Sequence, residues 1–366
     1  MKIAYDAKRF FHNTSGLGNY SRDLVRILAT YFPENEYVLL AQSQNERGKE
    51  ILALPKVSYR KIPKGLFARQ NKMGIEAQNI ETDIFHGLSG ELPLKWNKKP
   101  IKKVVTIHDL IFVRYPQFYS FFDRKIHFWK FKKACKSADL IIAISEQTKR
   151  DIIHFLHIPE SKIRVVYQGC HHVFKEILDE KLALELQTKH QLPERFILNV
   201  GTIEERKNLL NIVKAIEGTL IPLVVVGKKT KYFEKIKKYI LQKKLQKQVY
   251  FLENISMKEL ATLYKMADIF VYPSLFEGFG IPVIEALFSK TPVVTSNVSC
   301  LPEAGGPYST YVNPLNVDDL KSKIGFLWDN EPERKRRAEK SMEFVQKFDD
   351  KTIAEELMKV YQEAIL

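Results

Sequence analysis

The segment Tyr272-Pro273-Ser274-Leu275-Phe276-Glu277-Gly278-Phe279-Gly280-Ile281-Pro282-Val283-Ile284-Glu285-Ala286 holds the residues best suited to chemistry. An apolar run ends at Tyr272, a loop bears a carboxylate and two glycines, and a helix opens near Pro282. Glycine lets a ligand approach the backbone closely, and a helix start presents free N–H groups with partial positive charge. That combination suits a phosphate or a developing anion, while Glu277 and Glu285 can accept hydrogen bonds from sugar hydroxyls. Glu277 falls in the loop and Glu285 on the helix, so spacing alone does not place both on one face. The plainer alternative is a strand-to-helix turn with a solvated glutamate.

His108 follows the apolar run Val104-Val105-Thr106-Ile107, which puts it at the C-terminus of an expected strand. Gly16 and Gly18 follow the first expected strand and precede a helix; a tight turn accounts for them as well as a ligand does. His127, His171 and His172 have no metal-like spacing with Cys or Asp and read as structural. No Asp-x-Asp triplet occurs. Cys135, Cys170 and Cys300 make neither a disulfide framework nor a CxxC pair.

Strands alternating with helices are needed to position these residues. In the first half, strands are expected at 3–6, 37–41, 57–61, 84–86, 104–108, 140–144 and 165–167, with helices at about 19–31, after Phe67, and at 121–135. The pattern restarts after a polar helix at 180–190. Strands are then expected at 196–200, 223–226, 249–252, 269–272 and 293–295, and helices from 208, near 232–245, at 257–266 and at 282–289. Such alternation implies parallel sheets covered on both faces, with ligands at strand C-termini. The fold class is α/β, two Rossmann-like domains facing across a cleft, with a linker near 169–181. The boundaries are 1–173, with a return of 348–366, and 174–347.

The 366 residues are 45% apolar and 28% charged, which excludes disorder, collagen and coiled coil as the main class. No apolar run approaches the roughly 18 residues of a membrane span. Charge appears too early at the N-terminus for a signal peptide, so a soluble, cytoplasmic protein is expected. Residues 1–173 carry 29 Lys and Arg against 16 Asp and Glu, so +13 of the +15 net charge lies there. An anionic partner for that half is implied: a phosphate-bearing substrate, an acidic membrane surface or nucleic acid. The stretches 60–72 and 124–136 interleave cations with Phe67, Phe128, Trp129 and Phe131. They read either as an amphipathic helix with its aromatics in the core, or as a surface that holds the protein on the inner face of the cell membrane.

Glu277, seven intervening residues and Glu285, within EGFGIPVIEAL, resemble the hallmark of retaining GT-B glycosyltransferases, specifically glycosyltransferase family 4 (glycosyl transferases group 1). Gly201-Thr202-Ile203-Glu204-Glu205-Arg206-Lys207-Asn208 resembles the diphosphate-binding loop, and Leu260 to Ser274 the helix and strand before the acid motif. Thr14 to Tyr20 resembles the N-terminal glycine loop, and Thr106 to Leu110 the strand end bearing the active-site His. The stretch 348–366 is like the helix that crosses back to the first domain, so the likeness spans the chain.

The resemblance implies a hexosyltransferase acting from a nucleotide-diphosphate sugar on a glycan or lipid-linked saccharide, in cell-surface polysaccharide synthesis. It implies that Glu277 touches the donor sugar and that Glu285 takes the ribose hydroxyls. The backbone of Gly278, Phe279, Gly280 and Ile281 closes on sugar and diphosphate. Arg206 and Lys207 neutralise the leaving group, Gly16 and Gly18 line the donor side, and His108 lies near the reacting sugar. Thr202 stands where many members carry Arg, which makes Lys207 a firmer assignment than Arg206. No metal and no cofactor are expected. Glu277→Ala is expected to abolish transfer and leave the fold intact. A nucleotide-sugar 2-epimerase is the alternative on the same fold; a basic nucleic-acid-binding protein is a weaker one, with no zinc finger, RNA-recognition motif or helix-turn-helix signature beside the charge.

Overall fold

Strands in both halves of the computed structural model pair only in parallel, in two separate sheets. The structure describes every residue except Ser15 and Leu66. The first sheet contains β1 (Lys2–Asp6), β2 (Glu36–Ala41), β3 (Val57–Lys61), β4 (Ile84–Gly87), β5 (Lys102–Ile107), β6 (Leu140–Ala143) and β7 (Ile163–Val165) in the order 3-2-1-4-5-6-7. The second contains β8 (Ile197–Val200), β9 (Leu223–Val226), β10 (Val249–Leu252), β11 (Ile269–Tyr272), β12 (Val293–Ser296) and β13 (Thr310–Val312) in the order 10-9-8-11-12-13. Each order reverses beside its first strand, between β1 and β4 and between β8 and β11. In doubly wound sheets that reversal opens the loops where ligands bind.

The central strands are largely apolar because both faces are covered. Every residue of β4, β6, β9, β11 and β12 is buried, as expected for parallel strands sandwiched by helices. Helices supply the covering layers: Gly16–Tyr31 buries Leu24, Val25, Ile27 and Leu28, and Met257–Met266 buries Ala261, Leu263 and Tyr264. The latter begins with a capping box, in which Ser256 and Glu259 each bond the other's backbone N–H.

The chain divides into two units, one of Met1–Gly169 with Asp349–Leu366, the other of Cys170–Phe348. The helix Asp350–Ile365 thus belongs to the first unit. It buries Leu357, Met358 and Tyr361 in that unit's core and ties Asp350 to Arg26 at 2.7 Å. The first unit ends at Gly169, four residues before the expected 173, and its return begins at Asp349, one after the expected 348; other details differ as well. The helix placed at about 19–31 begins at Gly16, so Gly16 and Gly18 form its first turn and not a loop before it. The strand placed at 165–167 lies two residues earlier. Beyond β12, β13 and the helices Val317–Asp329 and Glu331–Val345 went unread.

Candidate functional site

In the second unit the two loops that flank the β8/β11 reversal carry the expected donor residues. After β8 the chain turns at Gly201 (φ +145) and descends through the short helix Glu205–Lys207 to Asn208. Asn208 holds a left-handed φ of 60°, a conformation Asn tolerates. Its amide donates to the carbonyls of Pro273, at 3.0 Å, and Pro314, at 2.7 Å. Gly227, at the end of β9, must be glycine: a Cβ there would sit 1.8 Å from the Gly201 carbonyl oxygen.

This turn delivers two cations to Glu277. Lys207 Nζ lies 2.7 Å from Glu277 Oε1, and Arg206 Nη1 lies 2.7 Å from Oε2. Ser274 Oγ and Tyr272 Oη also donate to Oε1, at 2.5 and 3.0 Å. Glu277 is only 8% exposed. Burial alone would push its carboxyl up, but Lys207 and Arg206 outweigh it and hold the group down at about 2. The expectation that Glu277→Ala leaves the fold intact is therefore corrected: Glu277 is a buried anion that ties the two loops together.

Arg206 is bound on all sides. Its guanidinium also donates to Phe276 O at 2.6 Å and to Glu204 Oε1 at 2.6 Å, while its own carbonyl accepts from Leu275 N. It braces the acid loop from within. Lys207 lies over the Tyr272 ring with its ammonium 5.0 Å from the centroid, at the edge of the same cluster. Thr202 is exposed at the strand end.

The loop beyond Glu277 is shaped by Cys300, whose single S–H proton lies within reach of two carbonyls, that of Phe279 at 2.7 Å and that of Glu277 at 3.1 Å. Phe279 points into the core and meets Phe348 edge-on at 5.4 Å, so only its backbone can face a ligand. Gly280, at φ +125, precedes the helix Ile281–Phe288, a conformation that strains other residues. On this helix Glu285 is buried, with one oxygen 3.0 Å from Tyr264 Oη. Burial raises its carboxyl to about 7, the Tyr264 hydrogen bond opposing only part of the rise. The two glutamates of the motif are thus tuned in opposite directions, one firmly ionised and the other poised near neutrality.

In the first unit His108 is the first residue past β5. Its Nε2 donates to the Leu88 carbonyl, just past β4, at 2.9 Å. Nδ1 must then accept, and it does so from Gln168 Nε2 at 3.1 Å. Tyr20 stands edge-on to the imidazole at 4.6 Å. Burial lowers the ring to about 4, with the nearby Arg9 charge adding to the effect against the Leu88 bond. His108 is therefore neutral at pH 7 with both nitrogens engaged. It can shape a surface and accept packing, but proton transfer would require breaking one of its two bonds. Gly18 must be glycine, because a Cβ would lie 2.0 Å from Asn13 O, whereas a Cβ at Gly16 would meet open space.

A buried chain of polar groups backs this site. Tyr20 Oη lies 3.0 Å from Thr106 Oγ1, which lies 2.8 Å from His86 Nε2; His86 Nδ1 lies 2.7 Å from Tyr361 Oη. It joins the helix Gly16–Tyr31, β5, β4 and the C-terminal helix. Sequence reasoning missed Tyr20, His86, Gln168, Tyr264, Tyr272 and Ser274. It also missed Arg9, whose buried Nε has no hydrogen-bond partner among the described residues. His127 packs on Phe112 and Phe131, in keeping with a structural role.

Two family models match the chain: glycosyl transferases group 1 over residues 183–344 and glycosyltransferase family 4 over residues 14–172. One falls on each half, and the chain belongs to this family of glycosyltransferases. It is similar to O-antigen chain mannosyltransferase B of Escherichia coli, 25% identical with 88% of this chain and 90% of the relative covered. It is similar also to O-antigen chain mannosyltransferase RfbU of Salmonella typhimurium, 31% identical with 60% and 58% covered. Among solved structures, Anabaena HepE in complex with UDP and glucose shares the fold, with a TM-score of 0.76, 16% identity and 99% of each chain covered.

Proposed function

We propose that the protein transfers a hexose, of mannose or glucose type, from a nucleoside-diphosphate sugar to a glycan or lipid-linked saccharide, with retention of configuration. The setting is synthesis of a cell-surface polysaccharide. The observation that carries this reading is the buried, ionised Glu277 bonded to Lys207, Arg206, Tyr272 and Ser274 at the C-terminal edge of β11. A fixed carboxylate can accept a sugar hydroxyl, and adjacent cations can stabilise the charge that develops on a departing diphosphate. Lys207 is the closer candidate for that second role, since three acceptors already hold Arg206. These cations supply what a divalent metal would otherwise provide, and the proposed reaction uses none. Glu285 is assigned to the ribose hydroxyls, the backbone of Gly278 to Ile281 to the sugar and diphosphate, and His108, with Gly16 and Gly18, to the donor side of the first unit.

The similarity to O-antigen mannosyltransferases favours a mannosyl donor, while HepE was crystallised with UDP and glucose. A panel of GDP- and UDP-sugars, read by thermal shift and by release of nucleoside diphosphate with and without saccharide acceptors, tests the reading. Acceptor-dependent release with an unchanged anomeric configuration in the product supports it. Acceptor-independent formation of a 2-epimer, or no response to any sugar nucleotide, overturns it.

A further inference from the structure

The helix Phe121–Ser137 is apolar on two opposite sides. Its inner side packs Phe128, Phe131, Ala134 and Cys135 into the first unit's core. Its outer side presents Phe122, Ile126, Trp129, Lys133 and Lys136, spaced i, i+4, i+7, i+11 and i+14, which is one continuous stripe. Phe122 is 77% exposed, Trp129 53% and Ile126 52%, and Phe121 beside them is 59% exposed. Single exposed apolar residues are ordinary, as at Leu220 or Leu315, but four large ones within nine residues form a patch.

The charge around this patch has one sign. The helix holds six Lys and Arg against the single Asp123. Lys125 and Arg124 lie over the Phe121 ring at 5.5 and 5.9 Å, and Lys133 over Trp129 at 5.1 Å. A pocket of about 120 Å³ opens beside the helix, lined by Trp96, Lys103, Glu91, Trp129, Lys130 and Lys133 among others. Aromatic and aliphatic side chains set among cations suit a helix lying in the plane of a lipid interface. The rings sit at head-group depth and the cations meet anionic lipid. A second copy of this face would instead set like charges against one another.

We infer that the outer face of the helix Phe121–Ser137 docks on an anionic phospholipid bilayer. Phe121, Phe122, Ile126 and Trp129 enter the head-group layer, and Arg124, Lys125, Lys133 and Lys136 meet the lipid phosphates. The attachment adds to the transferase reading and does not depend on it.

The test is sedimentation of the full chain with vesicles of zwitterionic lipid, with and without about 30 mol % phosphatidylglycerol, at low and high salt. The wild type should pellet with the anionic vesicles at low salt and be released at high salt. Phe122→Ser with Trp129→Ser, and separately Lys125→Glu with Lys133→Glu and Lys136→Glu, should each weaken binding about tenfold or more. Both sets should keep the wild-type thermal midpoint and donor turnover in solution, because these side chains face water. Absence of wild-type binding at low salt, equal binding to both vesicle types, or wild-type binding by both folded variants would overturn the inference. So would a dimer in solution that the same substitutions abolish.

Discussion

Lys207 and Glu277, 70 residues apart in sequence, meet at 2.7 Å, and this ion pair closes the loop after β8 onto the loop after β11. Its burial makes the pair structural as well as chemical. Removing one partner of a buried pair leaves a charge uncompensated and costs about 3–5 kcal/mol. Glu277→Ala should therefore lower the thermal midpoint as well as abolish transfer, because Lys207 and Arg206 lose their shared anion. Glu277→Gln, which keeps the shape, should fold with a smaller loss and still fall by about 100-fold or more in kcat/KM. Circular dichroism melts beside single-turnover rates check both; a Gln variant with wild-type turnover would refute the role given to Glu277.

The two cations should separate by substitution. Lys207→Ala should lower the melting midpoint, because it breaks the buried pair with Glu277, and should also weaken donor binding and slow departure of the diphosphate, losing about 2–4 kcal/mol of transition-state stabilisation. Arg206→Ala should appear first as destabilisation, because Phe276 O, Glu204 and Glu277 lose a common donor. Comparing the melting midpoint with kcat/KM for each variant distinguishes the two outcomes.

The assignment of Glu285 to the ribose hydroxyls predicts a donor affinity that depends on pH. A carboxylate that receives ribose hydroxyls is the better acceptor when ionised, and its pKa is raised to about 7. Affinity should therefore rise about tenfold between pH 6 and pH 8 and then level off. The stability effect has the opposite sign. The folded-state pKa lies above the ordinary value of 4.5, so the contribution is fully present below 4.5 and is lost as pH rises through about 7. Calorimetric titrations and melts of wild type and Glu285→Gln check both slopes, which the substitution should flatten.

Transfer should persist in EDTA, since Arg206 and Lys207 supply the positive charge at the acid loop. Loss of activity on chelation, with recovery on adding Mg²⁺ or Mn²⁺, would contradict the metal-independent reading.

His86 is fully buried and neutral, its pKa lowered to about 3 by burial and by the neighbouring His108. His86→Ala would take one partner each from Tyr361 Oη, which keeps Tyr5 Oη, and Thr106 Oγ1, which keeps Tyr20 Oη, and would leave a cavity, at a cost of about 3 kcal/mol. Tyr361→Phe should cost about 1–2 kcal/mol. A depressed histidine lends stability above its unfolded pKa of 6.5 that is lost as pH falls toward 3, so wild type should melt progressively earlier in acid. Denaturant titrations at pH 7 and pH 5 measure both effects.

What could be read from the sequence follows burial. The strands Leu223–Val226 and Ile269–Tyr272 are legible to the residue, because apolar runs flanked by polar turns mark strands covered on both faces, and the edge strands Val57–Lys61 and Val249–Leu252 fall at their expected bounds as well. β13 escaped, being three residues long at a sheet edge, and the helix Glu331–Val345 buries only Arg334, Ser341 and Val345. Glu277, Glu285 and Lys207 stood out through local motifs. Their partners did not: Tyr264 reaches Glu285 because the fold packs the helices Met257–Met266 and Ile281–Phe288 together, and Gln168 reaches His108 because it follows β7 back to the end of β5. The helix Phe121–Ser137 was read as having either a core face or a lipid face. It has a core face and an exposed apolar face, with Phe128 and Phe131 inward and Trp129 outward, and that double apolarity hides its period.

Because Asp349–Leu366 completes the first unit, the second unit has all of its residues synthesised before the first has all of its own. The second, Cys170–Phe348, is contiguous and has every one of its residues before synthesis of the final helix begins. The first must wait, with the groove destined for Leu357, Met358 and Tyr361 open, until the last 18 residues emerge from the ribosome. A chain truncated after residue 348 and released should therefore carry a protease-resistant second unit and a first unit that chaperones still recognise.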